Sequence, residues 1–216
     1  MSNAPLLSWL QTAVEAGATL AFAISGLLEG ARKRLDAVGV CLVAGLAAFG
    51  GGTLRDLLLD RRPFFWVVHW QWLWALLALC IVAMFFLRAR HFALTQRAMQ
   101  WPDALGLGLF SASGTQLALA QELPGIVAVL MGVVTATFGG VLRDIVCNEI
   151  PTALRDHRPY AICAFVGGWA LIVAQHGGVA PGWSLVLGAA TAAGLRVLAL
   201  VTDYTLPRWS SGSDAE

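Results

Sequence analysis

The sequence predicts an all-α integral membrane protein with seven transmembrane helices, built as two inverted three-helix repeats plus a seventh helix. Three observations lead to this fold class. The 216-residue chain is 58% hydrophobic and only 12% charged, whereas soluble domains carry about a quarter charged residues. Apolar runs long enough to span a bilayer nearly tile the chain, and two parts of it share one sequence pattern. We therefore expect a single transmembrane domain over residues 1–216.

Apolar runs between charged residues or Pro and Gly breaks define spans 1 to 7. They cover residues 12–31, 37–59, 64–87, 103–120, 124–147, 160–176 and 183–202. The net charge of +1 excludes a strongly basic nucleic-acid-binding protein, and neither the histidines nor the cysteines show the spacing of metal ligands. We expect no nucleic-acid partner, no metal and no cofactor.

A repeat relates the first half of the chain to the second at an offset of 88 residues. Residues 20–63 align with 108–151 without a gap and are identical at 12 of 44 positions. Apolar composition does not explain the matched pairs Ser25/Ser113, Gly51/Gly139, Gly52/Gly140, Arg55/Arg143, Asp56/Asp144 and Pro63/Pro151. The repeats extend over about 12–87 and 103–176, with the seventh helix at 183–202. Because each repeat holds an odd number of spans, the second copy must be inverted in the membrane.

The distribution of basic residues predicts the orientation. One side of the predicted topology holds nine Lys and Arg in its loops and C-terminus: Arg32, Lys33, Arg34, Arg88, Arg90, Arg97, Arg155, Arg158 and Arg208. The other side holds only Arg61 and Arg62. Because loops rich in positive charge stay in the cytoplasm, we expect a cell-membrane protein with its N-terminus outside and its C-terminus inside.

Clustered glycines interrupt spans 2 and 5, at Gly50, Gly51 and Gly52 and at Gly139 and Gly140. Glycine weakens a helix interior by up to about 1 kcal/mol relative to Ala, so a kink or an unwound turn lining an ion pathway is one interpretation. The other is close packing of helices through small residues. Next to repeated charged residues, we favour the kink, with packing as a possible contribution.

An Arg–Asp pair follows each glycine cluster within the membrane. Each charge at a helix centre costs about 2.5–3.5 kcal/mol, so these side chains must be paired or hydrated. Adjacent helical residues point about 100° apart, which argues against Arg55 pairing with Asp56. At matching depth the sequence offers Glu15 and, 88 residues later, Asp103. We expect Glu15 to pair with Arg55.

The repeat extends this expectation to Asp103 and Arg143, which leaves Asp56 and Asp144 free to face a cavity. A purely structural role, in which ion pairs fix the helix register, is the alternative for these residues. Ser25 and Ser113 likewise either bond back to their own helices or line the pathway with hydroxyl groups.

The stretches "AFAISGLLEGARKRLDAVGV", "FGGGTLRDLLLDRRP", "TFGGVLRDIVCNEIP" and "LRVLALVTDYTLP" resemble the prokaryotic TRIC family of trimeric intracellular cation channels. The resemblance covers about residues 12–207. It implies a homotrimer in membrane lipid, with a potassium-permeable, hourglass-shaped pore inside each protomer. In that family, the helices that correspond to spans 2 and 5 are kinked at their glycines and line the pore with spans 1 and 4.

The family motifs map onto two sets of residues in this chain. The first set is Gly50, Gly51, Gly52, Arg55 and Asp56, and the second is Gly139, Gly140, Arg143 and Asp144. Phe138 stands where the second motif would have its first glycine, so the resemblance implies a milder kink in span 5.

Two functions fit these features. One is a passive channel for potassium and other monovalent cations. The alternative is a secondary transporter of a small solute such as an amino acid. Glycine transport is associated with related families, and inverted repeats also occur in such transporters. An enzyme is disfavoured, because the Arg–Asp pairs supply no nucleophile, base or metal cluster.

Overall fold

The computed structural model describes residues 4–86, 96–155 and 158–207. These parts of the chain form nine helices and no strand. The helices are α1 (Ala4–Arg32), α2 (Ala37–Leu58), α3 (Phe65–Val68), α4 (Gln71–Phe86), α5 (Gln96–Ala120), α6 (Gly125–Val146), α7 (Thr152–Arg155), α8 (Ala161–His176) and α9 (Pro181–Thr202). The all-α prediction is confirmed for the described residues.

Four helical segments are long and apolar enough to cross a bilayer: Leu7–Arg32 of α1, α2, α6 and α9. The shorter apolar helices Gln71–Phe85 and Ala161–His176 correspond to spans 3 and 6. At 25 residues α5 is longer than these, yet it is less apolar. It packs against α1, α6, α8 and α9. Its polar side chains between Gln100 and Gln116 are buried and therefore contact protein rather than lipid.

Span boundaries differ from the prediction in three places. Helices α1 and α5 start eight and seven residues before the predicted spans 1 and 4, at Ala4 and Gln96. Pro102 lies inside α5 instead of marking its start, since the helix tolerates proline near its N-terminal end. Span 3 is interrupted between α3 and α4, where the chain turns at His69 and Trp70. Residue 87 of that span lies outside the described residues.

Helix order follows the sequence repeat. Helix α6 begins and ends 88 residues after α2. Helices α1 to α4 are in turn long, long, short and of medium length, and α5 to α8 have the same order of lengths. The corresponding helices also face each other, because α1 packs against α5 and α2 packs against α6. Phe22 and Phe110, which the repeat matches, stack with their ring centroids 5.7 Å apart. The core between the halves thus contains one pair of residues that the repeat matches.

The glycine clusters lie inside unbroken helices. Helix α2 is continuous through Gly50–Gly52 and α6 through Gly139–Gly140, so the expected unwound turns are absent from both helices. A Cβ on Gly51 would lie 2.0 Å from the carbonyl oxygen of Thr135, and one on Gly139 would lie 2.3 Å from that of Ala47. No side chain fits at these distances. The glycines let the backbones of α2 and α6 touch.

Close backbone contact makes Gly139→Ala destabilising. We expect the variant to unfold at lower temperature in detergent, with a loss of about 1–3 kcal/mol, because the added methyl group forces α2 and α6 apart. Gly194→Ala in α9 is the matched control, since a Cβ there would meet no atom within 4 Å. It should be neutral or slightly stabilising. Equal melting temperatures for all three proteins would contradict the close-packing interpretation.

Candidate functional site

Two buried clusters of charged side chains lie between the halves of the fold. The first centre consists of Glu15, Arg55, Asp56 and Ser113. The second centre consists of Asp103, Arg143, Asp144 and Ser25, which are the same positions under the repeat, with Asp103 in place of Glu15. All eight side chains are buried. The structure therefore brings the predicted charged and hydroxyl residues together in two groups, one around each arginine.

The first centre is organised by Arg55, which the chain buries completely. Its Nη1 donates to Glu15 Oε1 at 2.6 Å, which is the pair predicted from the matching depth of the two residues. Its Nε and Nη2 donate to Asp56 Oδ1 at 2.9 and 2.8 Å. Asp56 Oδ2 accepts the backbone N–H of Phe65 at 2.8 Å, and the Arg55 guanidinium lies 5.3 Å from the centre of the Phe65 ring. The turn after α2 thus closes over the centre.

Matching contacts surround Arg143 in the second centre. Its Nη1 donates to Asp103 Oδ1 at 2.6 Å, which is the other predicted ion pair, and its Nε donates to Asp144 Oδ1 at 2.8 Å. Asp144 Oδ2 accepts the backbone N–H and the hydroxyl group of Thr152 at 2.7 and 2.9 Å. Short helix α7 therefore begins at this carboxylate.

The expectation that Asp56 and Asp144 are free is wrong. Each accepts hydrogen bonds from the arginine that precedes it in sequence and from the loop that follows its helix. The angular argument considered only the directions in which adjacent side chains leave the helix. A long arginine stem can curl back, and its several N–H donors then bind two carboxylates at once.

Each serine binds the ion pair of the opposite half. Ser113 of α5 donates to Glu15 Oε1 at 3.0 Å and lies 3.4 Å from Arg55 Nη1. Ser25 of α1 accepts from Arg143 Nη1 at 2.5 Å and lies 3.4 Å from Asp103 Oδ1. These bonds to the ion pairs match neither a bond back to the serine's own helix nor a hydroxyl group free in a pathway, the two alternatives that the sequence left open. The serines thereby connect the two halves of the fold.

The glycines next to the centres make room for aromatic residues. A Cβ on Gly52 would lie 2.3 Å from the Phe65 ring, and one on Gly140 would lie 3.3 Å from the Tyr160 hydroxyl oxygen. Gly50 lies against Leu142 and lines an apolar groove of about 410 Å³ between α2 and α6, which Phe49 and Trp66 also line. This groove is apolar, in contrast to the polar cavity that the sequence suggested beside the glycines.

The sequence did not predict two residues that lie beside the second centre. Tyr160 donates its hydroxyl hydrogen to Asp103 Oδ2 at 2.7 Å, and Arg196 of α9 lies 4.8 Å over the Tyr160 ring. The sequence did contain a signal for Arg196, because a buried arginine in an apolar span requires a partner. The aligned repeat ends at residue 151, so it carried no information about Tyr160.

Charged residues also meet at one end of the bundle. Glu29 is 2% exposed and binds Arg32 in the last turn of α1, while Lys33 forms an ion pair with Glu149 in the loop after α6. These contacts fasten the end of α1 to the end of α6. Among the described residues, no group of three or more His, Cys, Asp or Glu side chains is arranged to hold a metal ion.

In the described residues, an all-helical architecture with membrane-length apolar helices and two matched, buried ion-pair centres defines the class of integral membrane proteins with several spans. A family model described as a glycine transporter matches the chain twice, over residues 12–88 and 100–176, which are 88 residues apart. A UPF0126 membrane protein of Vibrio cholerae is 33% identical over 192 residues, which is 89% of this chain and 80% of the relative. The Escherichia coli inner membrane protein YadS is 36% identical over 69% of this chain and 72% of its own.

Solved structures agree with these sequence relatives. The TRIC trimeric intracellular cation channel orthologue from Rhodobacter sphaeroides has a TM-score of 0.83 and 34% identity, covering 90% of this chain and 98% of that one. A prokaryotic TRIC channel crystallised in 0.5 M KCl has a TM-score of 0.85 and 27% identity, covering 92% and 100%. The chain belongs to the prokaryotic TRIC family, whose solved members are cation channels rather than enzymes.

Both centres depend on their arginines, which makes Arg55→Gln strongly destabilising. The variant leaves buried Glu15 without a counter-charge and leaves Asp56 with only its longer contact to Arg61, and removal of one partner of a buried pair costs about 3–5 kcal/mol. Arg61→Gln is the control, because the Arg61 side chain is 39% exposed and its contact with Asp56 is long, at 3.5 Å. We expect it to cost less than about 1 kcal/mol. Unfolding in mixed micelles measures both, and equal losses would contradict a buried first centre.

Proposed function

We propose that the chain is a channel for monovalent cations, permeable to potassium, with a passage inside each protomer of a homotrimer in the cell membrane. The passage runs between the halves of the fold, past the first and second centres. The single observation that carries this proposal is the excess of buried carboxylates over arginines in both centres.

Each centre contains two carboxylates and one guanidinium group, so its formal charge is −1 when all three are ionised. At low dielectric constant a unit charge acts strongly on an ion within a few ångströms. Such a centre attracts a cation and repels an anion. Arg61 weakens this effect at the first centre, although its side chain is partly in solvent, and Arg196 weakens it at the second centre from behind the Tyr160 ring. The carboxyl and hydroxyl oxygens are also the ligands that hard monovalent cations accept.

The proposal includes seven membrane spans in two inverted repeats. Span 3 covers the short helix α3 and the longer helix α4, whereas span 6 covers α8 alone and the short helix α7 precedes it. The matched order of helices and the double match of one family model support the repeat. The excess of Lys and Arg supports an external N-terminus. That count relies partly on Arg88, Arg90 and Arg208, which lie outside the described residues, as do the side chains of Arg97 and Arg155.

A conducting state requires water at the two centres. In the arrangement described here their carboxylate side chains are 9% exposed or less, so we propose that this arrangement is closed. Helices α2 and α6 touch at Gly51 and Gly139. Helices without side chains at their crossing point can bend or slide there with little steric resistance, so we propose that bending at these glycines opens the passage.

The relatives favour a channel over a carrier. The solved relatives are described as trimeric cation channels, and one was crystallised in KCl. The matching family model is described as a glycine transporter, which keeps transport of a small solute as the alternative outcome. Recordings of the purified protein in planar bilayers separate the two. Discrete single-channel steps carried by potassium support the channel, whereas saturable glycine flux without steps would overturn it.

Neutralising a carboxylate in the second centre should weaken cation selectivity. Asp144→Asn keeps the side-chain shape but removes one negative charge, so we expect the cation-over-anion permeability ratio to fall by about tenfold. The reversal potential in a KCl gradient measures this ratio. Glu122→Gln is the control, because Glu122 is exposed in the loop between α5 and α6. A wild-type ratio in folded Asp144→Asn protein would give Asp144 a purely structural role.

A further inference from the structure

The two centres differ in how their matched carboxylates are engaged. Asp103 uses both oxygens: Oδ1 binds Arg143 and Ser25, and Oδ2 accepts the Tyr160 hydroxyl hydrogen at 2.7 Å. Glu15 binds Arg55 and Ser113 through Oε1 alone. Among the described residues, none donates a hydrogen bond to Glu15 Oε2. The first centre therefore offers a carboxylate oxygen that the second centre does not.

The repeat provides no second copy of this tyrosine. Helices α4 and α8 begin 90 residues apart, which matches Tyr160 to Trp70, and an offset of 88 matches it to Trp72, whose ring stacks on His69 with centroids 4.7 Å apart. An indole ring has an N–H group but no hydroxyl, and this ring is directed to a different partner. The hydroxyl contact to the carboxylate is thus a feature of the second centre only.

Helix α9 fixes Tyr160 in place. The tyrosine is 4% exposed, and the guanidinium group of Arg196 lies 4.8 Å over its ring while Arg196 Nη1 donates to the Pro159 carbonyl oxygen at 3.0 Å. Gly140 leaves the space that the hydroxyl occupies. Since α9 lies outside the repeat, the first half of the fold has no equivalent of this support.

We propose that Tyr160 caps Asp103 and so weakens monovalent cation binding at the second centre relative to the first. This inference rests on the proposed cation passage. A cation that binds Asp103 must compete with the phenol hydroxyl for Oδ2, and a carboxylate that already accepts several hydrogen bonds has less charge to offer. Tyr160 is then a determinant of ion affinity, and Arg196 is a positioning residue that acts through it.

Tyr160→Phe tests the cap, because it removes the hydroxyl and keeps the ring beneath Arg196. We expect the potassium concentration that gives half-maximal single-channel conductance to fall by about threefold to tenfold, as a carboxylate oxygen becomes available. Tyr204→Phe is the matched control, since it deletes the same group from a residue that is 58% exposed at the end of α9. It should leave the half-saturating concentration unchanged.

A second measurement does not require conduction. Thermal unfolding of detergent-solubilised protein, with KCl replaced by choline chloride at constant ionic strength, reports potassium binding directly. The apparent affinity for potassium should be about threefold to tenfold higher in Tyr160→Phe than in the wild type or Tyr204→Phe. A structural role alone would lower the melting temperature without changing this potassium dependence.

The outcomes separate the two proposals. If the wild type conducts potassium but Tyr160→Phe matches it in half-saturation and in potassium-dependent unfolding, the cap is wrong and the channel stands. If the wild type passes no potassium, the channel proposal fails. The unfolding comparison then still decides whether Tyr160 controls cation binding at Asp103, and equal affinities overturn it.

Discussion

Burial of an arginine in each half of the fold is the constraint on which the rest of the structure depends. A guanidinium group cannot lose its charge in a protein, so Arg55 and Arg143 must be surrounded by acceptors once α2 and α6 enter the membrane. Their own helices supply one carboxylate each. The second carboxylate comes from α1 or α5, and a serine from the opposite half completes each set. The two arginines therefore obtain all their hydrogen-bond acceptors only when both halves of the fold are assembled together.

Close approach of the backbones makes this arrangement possible. The arginine side chains reach their partners only if α1, α2, α5 and α6 are packed closely, and glycine is what allows it at the crossing of α2 and α6. The glycines for which the sequence predicts a kink or an unwound turn therefore serve close packing between two continuous helices. A bend at these residues remains compatible with the packing, because glycine also lowers the cost of bending a helix.

Much of the fold and part of each site follow from the sequence alone. The offset of 88 residues identified the halves, and the cost of an unpaired charge in hydrocarbon led to Glu15 and Asp103 as partners of the arginines. The sequence did not predict the contacts that individual side chains make. Helical directions excluded the Arg55–Asp56 contact because they ignore the length of the arginine stem. Tyr160 lies beyond the aligned repeat. Its contacts depend on α9, and the sequence repeat does not predict that α9 packs against α8.

The repeat produces two centres of the same design, yet the chain does not make them equal. Glu15 is replaced by Asp103, whose shorter side chain is held from both sides, and only the second centre is braced by a helix outside the repeat. Each also has a further basic residue nearby: Arg61 lies 3.5 Å from Asp56, and Arg196 lies behind the Tyr160 ring. Internal symmetry of the backbone therefore fixes where the charges lie, while individual side chains set how each centre is engaged. The proposed passage would then meet a different environment from each side of the membrane.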